Sequence, residues 1–230
     1  MKNITPKISV IIRTYNSAGF IHQTINSALK QTLSRRMYEI LVVDDGSTDH
    51  TVEILKTYKN QIKVIKLKHS GKYINVLNKG VIKAKGQYII ILDSDDLFEP
   101  EILEQSFNAF KNNKNIGFVY SDYYEKDLSK GTTKIVSLKK NIFNSIAGGM
   151  LIKKKLIARV GYYDEKLFFP EYDLLIKLLE IKKIKSVYLP LPLYIYNRQS
   201  TSVTANKNLV KQGLKQLKEK YGKNFPIRKY

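Results

Sequence analysis

The stretch Tyr88-Ile-Ile-Ile-Leu-Asp93-Ser94-Asp95-Asp96 constrains this chain more than any other. Its aliphatic residues follow one another without polar alternation, which reads as a strand covered on both faces, as in the middle of a parallel sheet. The run stops in three carboxylates within four residues, Asp93, Asp95 and Asp96. The acids therefore stand just past the strand's carboxyl end, where open α/β sheets bind ligands. Like charges this close repel, and a bound cation is the usual means of holding them ionised. Asp93 and Asp95 thus read as a divalent-metal site facing a phosphate-bearing substrate. The same residues fit an Asp/Ser-rich turn capping a helix near Glu99, and the spacing alone does not choose between the two.

The chain before this strand repeats one pattern. Ile8-Ser-Val-Ile-Ile-Arg13 and Tyr38-Glu-Ile-Leu-Val-Val43 are apolar runs broken by Thr14-Tyr15-Asn16-Ser17 and Asp44-Asp45-Gly46-Ser47-Thr48-Asp49. Ile62-Lys-Val-Ile65 is a shorter third run. Between them lie helical faces. Ser17 is the expected cap of the first, Ser47 or Thr48 of the second, and Gly86 the expected C′ glycine of the third. Such alternation with right-handed crossovers predicts an α/β fold, a mostly parallel sheet flanked by helices. Tyr15, Asp45 and Asp95 then fall on one sheet edge, where a nucleotide would sit.

Beyond Pro100 the pattern loosens. A helix through Ile102 and Phe107 and a strand over 116–120 precede a polar stretch, 121–140, expected as a hairpin or loops. Gly148-Gly149 precedes a short strand, and the glycines serve either a ligand approach or a bulge. Glu171-Tyr-Asp173 opens a helix whose inner face carries Leu174, Leu175, Leu178 and Leu179. Its first-turn acids suit the helix dipole whatever else they do. Residues 185–193 read as an edge strand, and 194–201 as an aromatic, basic loop. From 205 onward eight Lys/Arg stand against one Glu, with Val210, Leu214, Leu217 and Tyr221 on one stripe. That is a basic amphipathic helix, suited either to capping the domain or to an anionic membrane face.

With 230 residues, 43% of them hydrophobic, the chain has material for a sizeable core. No run reaches the ~18–20 apolar residues of a membrane span, residues 1–6 show no signal-peptide pattern, and cysteine is absent. A cytoplasmic location is the expectation, peripheral at the inner membrane face if the basic helix binds lipid. The net charge of +20 attracts polyanions. No nucleic-acid recognition module is legible, so nucleic acid is not an expected partner.

These pieces, in this order, resemble the family-2 inverting glycosyltransferases of GT-A fold over roughly residues 6–204. The matching stretches are Ser9-Val-Ile-Ile-Arg-Thr-Tyr-Asn16, Ile40-Leu-Val-Val-Asp-Asp-Gly-Ser-Thr-Asp49, Gly71-Lys72, Asn78-Lys-Gly80, Gly86-Gln-Tyr-Ile89, Asp93-Ser-Asp-Asp96, Gly148-Gly149, Gly161-Tyr-Tyr-Asp-Glu165 and Glu171-Tyr-Asp-Leu174. The resemblance implies a nucleotide-diphosphate sugar donor, a glycan or lipid-linked saccharide acceptor, Mn²⁺ or Mg²⁺, and inversion at the anomeric carbon. It implies that Tyr15 and Asp45, with Arg13 beside them, hold base and ribose, although the family more often has proline where Arg13 stands. It implies that Asp95 binds the metal, that Asp93 acts nearby, and that Lys72 and Arg198 serve the diphosphate, Arg198 together with Ser200 and Thr201. Relatives carry the base as the second residue of a Glu-Asp pair; here Pro170-Glu171 stands there, making Glu171 the first choice and Asp173 the second. The implied organisation is a transferase domain over 1–204, with a nucleotide-sugar half (1–98) and an acceptor half (99–204), followed by the tail 205–230.

Two other classes share parts of this pattern. A haloacid-dehalogenase-like phosphohydrolase also uses Asp-x-Asp at a strand end, but it would need a hydroxyl or small residue where Leu97 stands. A polyanion- or nucleotide-sugar-binding protein without turnover would use the charge alone.

Overall fold

The structure, a computed structural model, describes residues 5–69, 71, 73–111, 113–146, 148–199 and 206–222. The chain runs through β1 (Ile8–Thr14), α1 (Ile21–Leu29), β2 (Tyr38–Asp44), α2 (Thr51–Thr57), β3 (Lys63–Lys66), α3 (Tyr73–Lys83) and β4 (Tyr88–Asp93). It continues through β5 (Leu97–Phe98), α4 (Ile102–Ala109), β6 (Ile116–Asp127), β7 (Thr132–Val136), β8 (Leu151–Lys153) and α5 (Lys154–Arg159). The last elements are α6 (Pro170–Leu179), β9 (Lys185–Arg198) and α7 (Lys207–Tyr221).

Among the described residues the strands form one sheet in the order β3-β2-β1-β4-β8-β6-β9-β5, with β7 paired to β6 off that path. The first four strands by position, β3 to β4, are parallel, as the alternation predicts. β8 then enters antiparallel to both β4 and β6, so the sheet as a whole is mixed.

Burial explains the uninterrupted apolar runs. In β1, β2 and β4 successive side chains go to opposite faces, and both faces are covered. Val10, Ile40 and Ile90 pack with Ile21 and Ile25 of α1 and Ile102 of α4. Ile11, Leu41 and Ile91 pack with Leu77 of α3 and Leu174 of α6 on the other side. No helix among the described residues is long and apolar enough to cross a membrane.

Several local expectations change. Ser17 does not cap α1: its Oγ meets Tyr15 O at 3.2 Å and Ser94 Oγ at 2.9 Å. The start of α2 is held by Asp49, whose Oδ1 accepts from Thr51 N at 2.9 Å, rather than by Ser47 or Thr48. Gly86 is no left-handed cap; a Cβ there would lie 2.5 Å from Ser9 N, so glycine lets this turn press against β1. Leu179 is exposed rather than inward-facing. Of 121–140, the hairpin is what forms, through β6 and β7. Over 185–193, among the described residues, β6 is the strand paired with β9, as at an edge, but the strand continues through Tyr194 to Arg198 where a loop was expected. Tyr194 is 1% exposed and Leu193 4%, so burial of these side chains holds the segment extended.

Candidate active site

The carboxyl ends of β2, β1 and β4 lie side by side, and the register sets Thr14 beside Asp44 and Arg13 beside Asp93. Tyr15, Asp45 and Asp95 each follow within two residues of their strand's end. The backbone N–H of Asp45 donates to Thr14 O at 2.9 Å, which extends the pairing to the first two of these residues. The Tyr15 ring is 44% exposed and stacks on His69, with centroids 4.0 Å apart and planes 14° off parallel. His69 Nδ1 in turn lies 3.0 Å from Asp45 Oδ2. His69 escaped the sequence reading; its one signal is its place just past β3, at the same sheet edge.

The turn after β4 is held by a strand from the far end of the chain. Asp96, 2% exposed, accepts from Tyr194 Oη at 2.7 Å and from the Asn197 backbone N–H at 2.8 Å. Asn197 Nδ2 donates to Asp95 O at 2.6 Å, and Gln199 Nε2 reaches Asp95 Oδ2 at 3.2 Å. Gly148 and Gly149 pack against the Tyr194 ring; a Cβ on Gly148 would fall 2.4 Å from Tyr194 Oη. The glycine pair therefore admits the tyrosine that fixes the turn. The sequence showed Asp96 only as a member of the acidic cluster and Tyr194, Asn197 and Gln199 only as parts of an aromatic, basic loop, because each acquires its role through a contact about 100 residues away in the chain.

Asp93 is engaged by Arg13, whose Nε donates to Asp93 Oδ1 at 2.7 Å. The guanidinium also lies over the Tyr73 ring, 4.9 Å from its centroid. Burial alone would lower the Arg13 pKa, but the adjacent Asp93 reverses this and holds the group firmly charged. Asp95 shows the opposite balance: burial first, then the charge of Asp93, raises its carboxyl to about 6. The same two causes, with Asp95 added, raise Asp96.

Glu171 occupies the second position of α6, behind Pro170. Its side chain lines a small apolar cavity with Ile89, Ile91, Ile146, Met150 and Leu174. Burial raises its carboxyl to about 7, opposed by Arg13 and reinforced by Asp93. That coupling places Glu171 within electrostatic reach of the Arg13–Asp93 pair. Asp173 has different company. It is fully buried, with Lys177 Nζ 2.7 Å from Oδ2, Lys220 Nζ 2.6 Å from Oδ1, and Tyr221 Oη donating to Oδ1. Burial pushes its carboxyl up, but these partners outweigh burial and hold it below the usual range.

Of the remaining sequence candidates, Arg198 ends β9 with its guanidinium 3.6 Å from Glu125 Oε1, while its neighbours Asn197 and Gln199 contact the Asp turn. Lys72, Ser200 and Thr201 lie outside the described residues.

The donor set suits a hard divalent cation bound together with phosphate. No group of three or more His, Cys, Asp or Glu among the described residues is arranged to hold a metal by itself. Mg²⁺-type sites commonly take one or two carboxylates and complete their shell from substrate phosphates and water. Asp95, a hard oxygen donor whose ionisation is opposed by burial and by Asp93, matches that requirement.

A model of the family described as Glycosyl transferase family 2 matches residues 9–163. The chain is 34% identical over 139 residues to the poly(ribitol-phosphate) beta-N-acetylglucosaminyltransferase TarP of Staphylococcus aureus, covering 59% of this chain and 42% of that protein. It therefore spans less than half the length of this relative. Among solved structures, S. aureus TarS 1–349 in complex with UDP superposes with a TM-score of 0.69 at 25% identity, covering 84% of this chain and 61% of that one. The mannosyltransferase PcManGT from Pyrobaculum calidifontis, in complex with GDP-Man and Mn²⁺, superposes with a TM-score of 0.75 over 97% of this chain and 66% of that one. At 18% identity the latter speaks for the fold alone.

Proposed function

Since the chain belongs to glycosyl transferase family 2, we propose that it moves a sugar from a nucleotide-diphosphate donor, UDP-linked, to a hydroxyl of a glycan or lipid-linked saccharide, with inversion. The observation that carries this reading is the placing of two acids at different elements, Asp95 in the turn held by Asn197 and Gln199 and Glu171 on an apolar cavity with Ile89 and Ile91 of β4. Asp95 stands at the strand-end turn, and Glu171 stands at the helix start with its carboxyl raised to about 7. The UDP preference is supported by the UDP complex of TarS.

In this reading the exposed Tyr15 ring offers a surface for the base, with Asp45 accepting from base or ribose. Asp95 would hold Mn²⁺ or Mg²⁺, which when bound neutralises charge on the diphosphate leaving group. Asp93, fixed by Arg13, faces the ribose side, and Lys72 and Arg198 supply further positive charge for the phosphates. Glu171 takes the proton of the acceptor hydroxyl. The acceptor oxygen bonds to the anomeric carbon as the bond from that carbon to the phosphate oxygen breaks on the opposite face, and the nucleoside diphosphate departs with the electron pair. A carboxyl raised to about 7 is a stronger base than an ordinary glutamate and is still substantially ionised near neutral pH.

Screening nucleotide sugars for Mn²⁺-dependent thermal stabilisation, followed by transfer assays, tests the reading. Glu171→Gln is expected to keep donor binding and lose transfer by ~10³-fold. Survival of transfer in that variant would remove Glu171 as the base. On α7, Lys207, Lys211, Lys215 and Lys218 are exposed, which suits an anionic membrane face where a lipid-linked acceptor would be met. Failure to sediment with anionic liposomes at low salt would remove that part.

A further inference from the structure

The helix that carries Glu171 does not fix its own beginning. Its N-cap, Phe169, makes no side-chain capping bond, and Pro170 supplies no N–H. The segment leading into it is held from outside, on two sides. From one side α7 packs Val210 and Leu217 against Leu167, Phe169 and Tyr172. Gly213 lets the helix approach closely: a Cβ there would lie 2.7 Å from Phe168 Cδ1 and 2.8 Å from Phe169 Cδ2. Gln216 Oε1 accepts from Phe168 N at 2.8 Å. Lys220 Nζ bridges Asp164 Oδ2 at 2.8 Å and Asp173 Oδ1 at 2.6 Å. From the other side Tyr73 Oη donates to Phe168 O at 2.6 Å, and the Tyr73 ring faces Arg13, the partner of Asp93.

We infer that α7 is a clasp that holds the start of α6, and with it Glu171, in its working position, with Asp173 as the positioning residue that the clasp grips. The inference rests on the reading of Glu171 as the base. Apolar packing by Val210 and Leu217 would be enough for a helix that only covers the domain. A fully buried carboxylate two residues past Glu171 is a different matter, because burying such a charge is costly unless it is paired. Lys177 from its own helix meets one oxygen, while Lys220 and Tyr221 from α7 meet the other. Loss of the α7 partners leaves half of the buried charge unmatched and frees the uncapped helix start to shift.

The test compares the intact chain with the double variant Lys220→Met/Tyr221→Phe and with Lys220→Arg. The ¹³C shift of the Glu171 carboxyl is followed with pH and assigned by its disappearance in Glu171→Gln. In the intact chain the carboxyl is expected to titrate near 7; in the double variant it should fall by a unit or more as the side chain loses its enclosure. Transfer should fall at least tenfold, stabilisation by UDP with Mn²⁺ should stay the same, and Lys220→Arg should recover most of both losses. If near-UV circular dichroism shows the double variant unfolded, Tyr221→Phe alone is read in the same way, with smaller changes of the same sign. A folded variant in which the Glu171 titration and transfer are unchanged overturns the clasp. So does a loss of transfer that merely tracks the folded fraction and the loss of UDP binding. Retained transfer in Glu171→Gln overturns it by a separate route, through the base on which it depends.

Discussion

The turn after β4 and the first turn of α6 each contain an acid proposed to work in the reaction and a buried one held by the fold, and they secure the buried acid by opposite means. At the turn, Asp96 is held by neutral donors, Tyr194 and a backbone N–H, and burial, followed by the neighbouring carboxylates, raises its pKa. At the helix, Asp173 is held by two lysines and a tyrosine, which lower its pKa despite burial. Beside Asp95 a lysine would compete with the bound cation that the proposed reaction needs; Asp96 is braced by neutral donors, and the guanidinium of Arg13 goes to Asp93. No cation need bind at the start of α6, so charge is free to serve there as a fastener. Among the described residues, the acid proposed to work is in both places the one with fewer side-chain partners: Asp95 rather than Asp96, Glu171 rather than Asp173.

The sharpest way to break this comparison is Asp95→Asn. It should lower transfer ~10²–10³-fold, the scale of losing an electrostatic contact in the transition state, while the melting temperature above about pH 6 holds or rises, because burial and Asp93 oppose the ionised carboxyl. Chelating the divalent ion should give wild type a similar loss and add little to the variant. An Asp95→Asn protein with wild-type turnover would mean that the turn is only a turn.

Next in size is the pH dependence at Glu171. Its folded-state carboxyl is raised to about 7 by burial, so the stability it contributes is present below the ordinary glutamate pKa and is lost as pH rises through about 7. Glu171→Gln should accordingly stabilise the protein at pH 8 and do little at pH 4. Discounted for the part of the side chain that meets solvent, the gain is on the order of 2 kcal/mol. Transfer by wild type should drop on the acid side of about pH 7, where the base is protonated. Thermal melts across that range check the first statement and a pH–rate profile the second; equal melting temperatures of the two proteins at pH 8 would deny the burial.

The smallest effect is expected at Tyr194→Phe, which leaves Asp96 one donor short. The loss should be about 1–2 kcal/mol of stability, the cost of a buried acceptor losing a hydrogen bond, measurable by urea denaturation. Turnover per folded molecule should change far less than in Asp95→Asn. A reversal of that ranking would make Asp96, and not Asp95, the acid of the reaction.

How much was legible beforehand differs along the chain. In residues 8–93 the aliphatic runs are buried on both faces, successive strands are neighbours, and each acid or tyrosine of interest directly follows its strand. Periodicity and spacing are local properties, so the parallel half and the strand-end positions of Tyr15, Asp45 and Asp95 could be read from sequence. The antiparallel entry of β8, the extension of β9 to Arg198 and the stacking of His69 on Tyr15 could not, because each depends on a distant partner.

The amino-acid sequence alone set the α/β class, the edge at which ligands are expected, and the small set of acids proposed for the reaction. Only the tertiary structure decided how those acids divide. A carboxylate's state follows from what surrounds it, and here the surroundings are Tyr194 and Asn197 for Asp96, Lys220 and Tyr221 for Asp173, and an apolar cavity for Glu171. Most of these partners come from elsewhere in the chain, where no local pattern announces them.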